Sequence, residues 1–177
     1  VYVCVCVCVC VQIGNPGYID GRTGLWNTAP DEICDAMLPY WMAGLRIHVH
    51  SNGDAAQDAL CRALQRLQTI YPRFDHRFCV EHFGVCNESL MRKFKSLGAN
   101  VSVNPFYHYD RAEINEAHLG LDRAHSAAKL RSIADNGLRV GMHSDAPVGI
   151  PQPLRMVWVA CNRPLRKQWD AAERDLR

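Results

Sequence analysis

The chain has no run of about 18 consecutive apolar residues, so no membrane-spanning helix is expected from it. It has no C-x-x-C pair, which argues against a zinc knuckle and a thioredoxin-like dithiol. The glycines between residues 14 and 24 form neither G-x-G-x-x-G nor a P-loop, so a flavodoxin-like nucleotide-binding domain is not supported. The sequence also lacks a large excess of either charge. Its 20 Lys and Arg against 18 Asp and Glu leave a formal net charge of +2. The basic residues are scattered and not interleaved with aromatics, which makes nucleic acid an unexpected partner. No initiator methionine precedes Val1 and no basic segment of a secretory leader is seen, so the expected location is cytoplasmic.

What is present is enough for one core. The 177 residues are 48% hydrophobic, whereas a complete eight-stranded α/β barrel takes about 250 residues. The expectation is a smaller α/β fold or part of a barrel. Of nine cysteines, Cys4, Cys6, Cys8 and Cys10 alternate with valine in residues 1–11. That alternation has the two-residue period of a strand. It also reads as a translated dinucleotide repeat at a fragment or exon boundary. Cys34, Cys61, Cys79, Cys86 and Cys161 fall at irregular, mostly apolar-phase positions, as reduced and buried cysteines do.

From residue 12 to residue 163 the pattern is a repeated helix, glycine stop, short strand and polar tip. Thr28 is read as the cap of a first helix with Ile33, Met37 and Trp41 on its face. Asp54 opens a second, carrying Ala56, Leu60, Ala63, Leu64 and Leu67, and Asn87 caps a third with Leu90, Met91 and Phe94. Residues 105–125 read as a long loop, with short helices expected near Ser126 and over residues 154–160. Residues 164–177 form a charged tail. Gly44, Gly98 and Gly137 each stand six residues before a polar tip at His50, Asn104 and His143. This is the alternation of a parallel sheet. Strand parity would turn Ile47, Val49, Val101, Val103, Val140 and Met142 outward to helices. It would place His48, His50, Ser102, Asn104, His143 and Asp145 on the inner face, and Glu81 outward beside a basic neighbour.

The chemistry follows from the strand ends. His50, His82 and Asp145, each delivered by its own strand, are candidate ligands of a divalent ion, with zinc suited to imidazole and carboxylate donors. Such an ion lowers the pKa of its water and polarises a carbonyl. Asp145 is then the candidate catalytic proton carrier. His143 and Asn104 are placed to contact substrate, and His48 to pack behind the ligands. Taken singly, each histidine is as readily structural.

The runs Ile47-His48-Val49-His50-Ser51-Asn52-Gly53-Asp54, Val80-Glu81-His82 and His143-Ser144-Asp145-Ala146-Pro147-Val148 resemble the amidohydrolase superfamily, in particular family 3 proteins similar to N-substituted formamide deformylase. The resemblance covers residues 17–163 and takes in Asn104-Pro105 and Asn162-Arg163. It implies a partial TIM-type (β/α) barrel, strands five to eight with their helices, within the α/β class. It implies hydrolysis of non-peptide carbon–nitrogen bonds in a small amide-type substrate. His50, His82 and Asp145 match its ligands from strands five, six and eight. The family's H-x-H pair on strand one has no counterpart in these residues, so the expectation is a fragment inactive alone. The alternative is a non-catalytic remnant or interaction module, self-associating through exposed sheet edges.

Overall fold

The computed structural model describes residue 14 and residues 17–168. The Val-Cys repeat and most of the charged tail lie outside the described residues. Four short parallel strands form one sheet in the order β1-β2-β3-β4: His48–Ser51, Cys79–His82, Asn100–Val103 and Arg139–Met142. The register is continuous, with His48, Cys79, Asn100 and Arg139 abreast, and His50, Glu81 and Ser102 abreast two residues on. Each strand is followed by helical chain, and among the described residues the sheet is open, with β1 and β4 at its edges.

The helices form where the apolar spacing requires. Before β1 comes α1, Ile33–Met42, which buries Ile33, Cys34, Met37 and Trp41. Its start is Glu32 rather than Thr28, since residues 30–32 form a turn and no side chain caps the helix. Between β1 and β2 runs α2, Asp54–Ile70, with Ala56, Leu60, Ala63, Leu64 and Leu67 buried as a stripe. Between β2 and β3, α3 spans Glu88–Ser96, and Asn87 accepts the Leu90 amide at 3.0 Å as its cap. These three stripes meet Ile47, Val49, Val80, Val101 and Val103 from the outer sheet face in one core. Full burial of each such aliphatic side chain contributes about 1.5–3 kcal/mol.

Two expectations change. Residues 105–125 are not a loop: α4 spans Phe106–Leu119 and α5 spans Leu121–His125. Phe106, Tyr109 and Ala112 are buried at a three-residue interval, a thin apolar line among polar residues. After α6, Leu130–Asp135, comes β4, whose outer face none of the described residues covers fully: Val140 and Met142 are 38% and 39% exposed. The following helix, α7 over Pro153–Asn162, packs against α4 instead of crossing β4. Its Arg163 adopts a left-handed conformation, and its guanidinium donates to the carbonyls of His125, Ala127 and Ala128.

The glycine stops behave as expected, with Gly44, Gly98 and Gly137 all at φ between 74° and 77°. At Gly98 the constraint is double, because a Cβ would also stand 3.3 Å from His76 Nε2. His76 is a buried strut: it accepts the Phe78 amide on Nδ1, so its Nε2–H donates to the Leu97 carbonyl. Gly98→Ala is expected to lower unfolding free energy by about 1–2 kcal/mol, the strain of a left-handed non-glycine residue. Urea denaturation of the full chain measures it, and an unchanged midpoint would refute the constraint.

Candidate metal centre

The C-terminal tips of the strands gather a compact polar cluster. His50 ends the inward-facing row of β1, and its ring centroid lies 4.3 Å from that of His82. The His143 ring is 4.9 Å from His82, with Nε2 of His143 and Nδ1 of His82 3.2 Å apart. His82, His143 and Asp145 each offer a ligand atom within 4.8 Å of the others'. Of the expected trio, His82 and Asp145 fall in this group, whose third member is His143 and not His50; the His50 ring stands beside His82 from the β1 side.

His82 reaches this place against strand parity. It is abreast of Ser51 and Val103, and Val103 belongs to the core under the helical layer. A φ of 71° at His82 and of 47° at Phe83 turns the chain, so that Phe83 enters the core and the imidazole swings inward. Asp145 is likewise left-handed, at φ 59°. Two of the proposed ligands thus sit in backbone conformations that L-residues rarely hold, a recurrent property of functional sites.

Glu81 corrects the parity expectation. It faces inward, abreast of His50 and Ser102, because the irregularity begins only after it. Its Oε1 lies 2.6 Å from His48 Nδ1, and its Oε2 lies 3.5 Å from His143 Nδ1. The basic neighbour is therefore His48, an inner-face histidine one pleat below the tips. Ser102 stands between, with Oγ 2.7 Å from His143 Nδ1.

Burial dominates the titration of these groups. It lowers the pKa of His50 and of His143, in both cases against the pull of Glu81 and Asp145. His82 is pushed down to about 4, by burial first and then by its histidine neighbours. For Glu81, burial acts upward, but hydrogen bonds from His48 and Ser102 outweigh it and leave the carboxyl below its ordinary value. Neutral imidazoles beside ionised carboxylates are the form in which these residues bind cations. The donor set, with its three nearly touching imidazoles, fits a divalent ion better than it fits protons.

Beside the cluster, reaching it at Asp145, lies a cleft of about 550 Å³. Asp145, Asn104, Asn52, Tyr107 and Arg111 line it, and Gly84 keeps its wall low beside Asn52. Asn104 is buried and held at both ends: Oδ1 accepts the Phe106 amide at 3.0 Å and Nδ2 donates to the Ser144 carbonyl at 3.4 Å. It fixes the start of α4 against the tip of β4. Asn52 has Nδ2 3.2 Å from His50 Nε2, while its Oδ1 is buried without a hydrogen-bond partner. Tyr107 escaped the sequence reading, although its hydroxyl lies 3.0 Å from His82 Nδ1 and its ring stacks on that imidazole. It was hidden in the stretch read as loop. Asp54 is the first residue of α2, after Gly53 at the cap position. Its carboxylate accepts the amides of Ala55 and Gly14. His108 and His125 pair with the Arg163 carbonyl and the Glu116 carboxylate, outside the cluster.

The architecture is a partial TIM-type (β/α) barrel, of the fold that metal-dependent hydrolases share. One of these, an uncharacterized metal-dependent hydrolase from Pyrococcus furiosus, superposes with a TM-score of 0.73 at 21% identity, over 85% of this chain and 30% of its own. A family model described as the amidohydrolase family matches residues 41–176. The chain belongs to that family. Among curated proteins it is 27% identical to Protein LONG AFTER FAR-RED 3 of Arabidopsis thaliana, over 82% of this chain and 26% of the relative. It is 24% identical to N-substituted formamide deformylase of Arthrobacter pascens, over 75% of this chain and 24% of the relative. The chain therefore spans about a quarter of the length of the curated relatives it matches.

The titration has a stability consequence. An unfolded histidine titrates near about 6.5, whereas folded His82 does so at about 4. Between those values the unfolded state binds more protons, so the stability held above about pH 6.5 is lost as pH falls towards about 4. His82→Asn is expected to lose less stability than the parent across that window, measured by denaturant midpoints at stepped pH. Parallel curves would count against a neutral buried His82.

Proposed function

We propose that the chain is the C-terminal half-barrel of a metal-dependent hydrolase acting on non-peptide carbon–nitrogen bonds of small amide-type molecules. One observation carries this reading: His50, His82, His143 and Asp145, from three separate strand tips, gather beside an open cleft. The likeness to an N-substituted formamide deformylase supports the amide class of substrate.

His50, His82 and Asp145 would hold the ion, zinc by the match to imidazole and carboxylate donors. When bound, the ion supplies Lewis acidity toward a carbonyl oxygen and acidifies water. Asp145, at the cleft wall, takes a proton from the attacking water and delivers it to the departing nitrogen. His143, held by Ser102, donates to the oxygen on which negative charge grows. Asn104 sets the distance between α4 and the β4 tip where substrate lies. Tyr107 fixes the His82 ring from behind. Cysteines without a disulfide at Cys34, Cys61, Cys79, Cys86 and Cys161 support a reducing, cytoplasmic location.

A second reading, a non-catalytic interaction module of the same fold, draws on the open edges and the uncovered outer face of β4. Size-exclusion chromatography with light scattering separates the two: concentration-dependent growth of metal-free chain favours the module.

The hydrolase reading is tested by equilibrium dialysis against Zn²⁺. His82→Ala and Asp145→Ala are expected to abolish binding at the strand tips, and Tyr107→Phe to weaken it about 10–100-fold, as for other partners that orient ligands. The same substitutions in a full-length version are expected to abolish amide hydrolysis, and unchanged turnover in both alanine variants ends the assignment.

A further inference from the structure

A second set of cation donors lies one layer beneath the strand tips. His48 and Cys79 stand abreast on β1 and β2, and Glu81 follows Cys79 by two residues on the same face. His48 offers Nδ1, Cys79 offers Sγ and Glu81 a carboxylate oxygen, all within 4.8 Å of one another. The shortest separation, His48 Nδ1 to Glu81 Oε1, is 2.6 Å. Zinc takes N, S and O donors at roughly 2.0–2.3 Å, so tetrahedral donors stand about 3.3–3.6 Å apart. The three donors lie within 4.8 Å of one another, near enough for side-chain rotation to bring them to that range. Rigid parallel strands carry all three donors, with no loop among them.

We propose that His48, Cys79 and Glu81 form a second cation site, selective for a thiophilic divalent ion such as Zn²⁺ over Mg²⁺ or Ca²⁺. It uses none of His50, His82 or Asp145, although Glu81 also contacts His143 of the strand-tip cluster. The fourth position opens onto a cavity of about 360 Å³ that His48, Cys79, Ser102 and Gly141 line together with Arg46, Arg77 and Arg139, a basic rim that suits an anionic fourth ligand. Nothing lies within 4 Å of where a Cβ of Gly141 would be, which leaves room for a water or a small ligand. A helix or strand packed there would close the site, and among the described residues none does. On binding, Cys79 Sγ loses its proton to solvent. His48 binds through Nδ1 with a proton on Nε2, and Glu81 binds as the carboxylate. One proton is released per ion.

Cobalt tests this, because only a thiolate ligand gives an intense near-ultraviolet ligand-to-metal charge-transfer band. The full chain is used with Cys4, Cys6, Cys8, Cys10 and Cys161 replaced by serine, to remove cysteines outside the described residues and the exposed one. Co²⁺ is expected to produce the band, Cys79→Ser to abolish it and His48→Ala to weaken it. His82→Ala should leave it unchanged, which separates failure here from failure at the strand tips. Absence of the band in the parent, or its persistence in Cys79→Ser, overturns the site. Should Cys79→Ser fail to fold by circular dichroism, zinc-edge X-ray absorption of the parent decides: one sulfur ligand is expected, and a shell of nitrogen and oxygen alone overturns the proposal.

Discussion

In a parallel strand the side chains alternate, and by that rule His82 belongs with Val80 among the helices. The left-handed turn at His82 and Phe83 breaks the rule at one step. It sends a phenyl ring into the core, where Phe83 meets Phe94 edge-on at 5.8 Å, and an imidazole to the opposite side. Strain of this kind amounts to about 1–3 kcal/mol per residue and persists only where the surroundings over-determine it. Burial of Phe83 on one side and Tyr107 stacking on the other do that here. Without this inversion the His82 ring would not reach His50 or His143, and the inner face would carry one imidazole fewer.

The polar inner face and the apolar outer face have separate logics. Outside, valines and isoleucine abut amphipathic helices, and the stability of the sheet resides there. Inside, His50, His82, His143 and Glu81 lie side by side, and the arrangement holds because burial keeps these three histidines neutral while the Glu81 carboxylate accepts hydrogen bonds. A sheet that ended in mixed charges at this depth would need many more partners than His48, Ser102 and Tyr107 supply.

Much of this was legible in the sequence. Three glycines at a common distance from three polar tips report the strand ends, because each glycine must take a left-handed φ to close the preceding helix. Asn87 reports its helix in the same direct way. The inner placement of Glu81 and the route by which His82 arrives were not legible. A two-residue period was anchored on His82, which is the residue where the period fails. Helix α4 was missed because one of its faces lines the cleft: Tyr107, Asp110 and Arg111 dilute the apolar spacing of Phe106, Tyr109 and Ala112. Tyr107 was lost with it. The uncovered β4 had no local signal, since Val140 and Met142 read like any outward pair, and the path of α7 is set by tertiary contacts with α4.

Glu81 touches both His48 and His143 with different oxygens of one carboxylate. It therefore works as a see-saw between the floor of the sheet and its rim. A torsion that draws Oε1 deeper toward His48 lifts Oε2 away from His143, and leaves the Ser102 hydroxyl as the remaining restraint on that ring. The orientation of the rim imidazole is in this way coupled, through a single rotatable side chain, to whatever occupies the layer below.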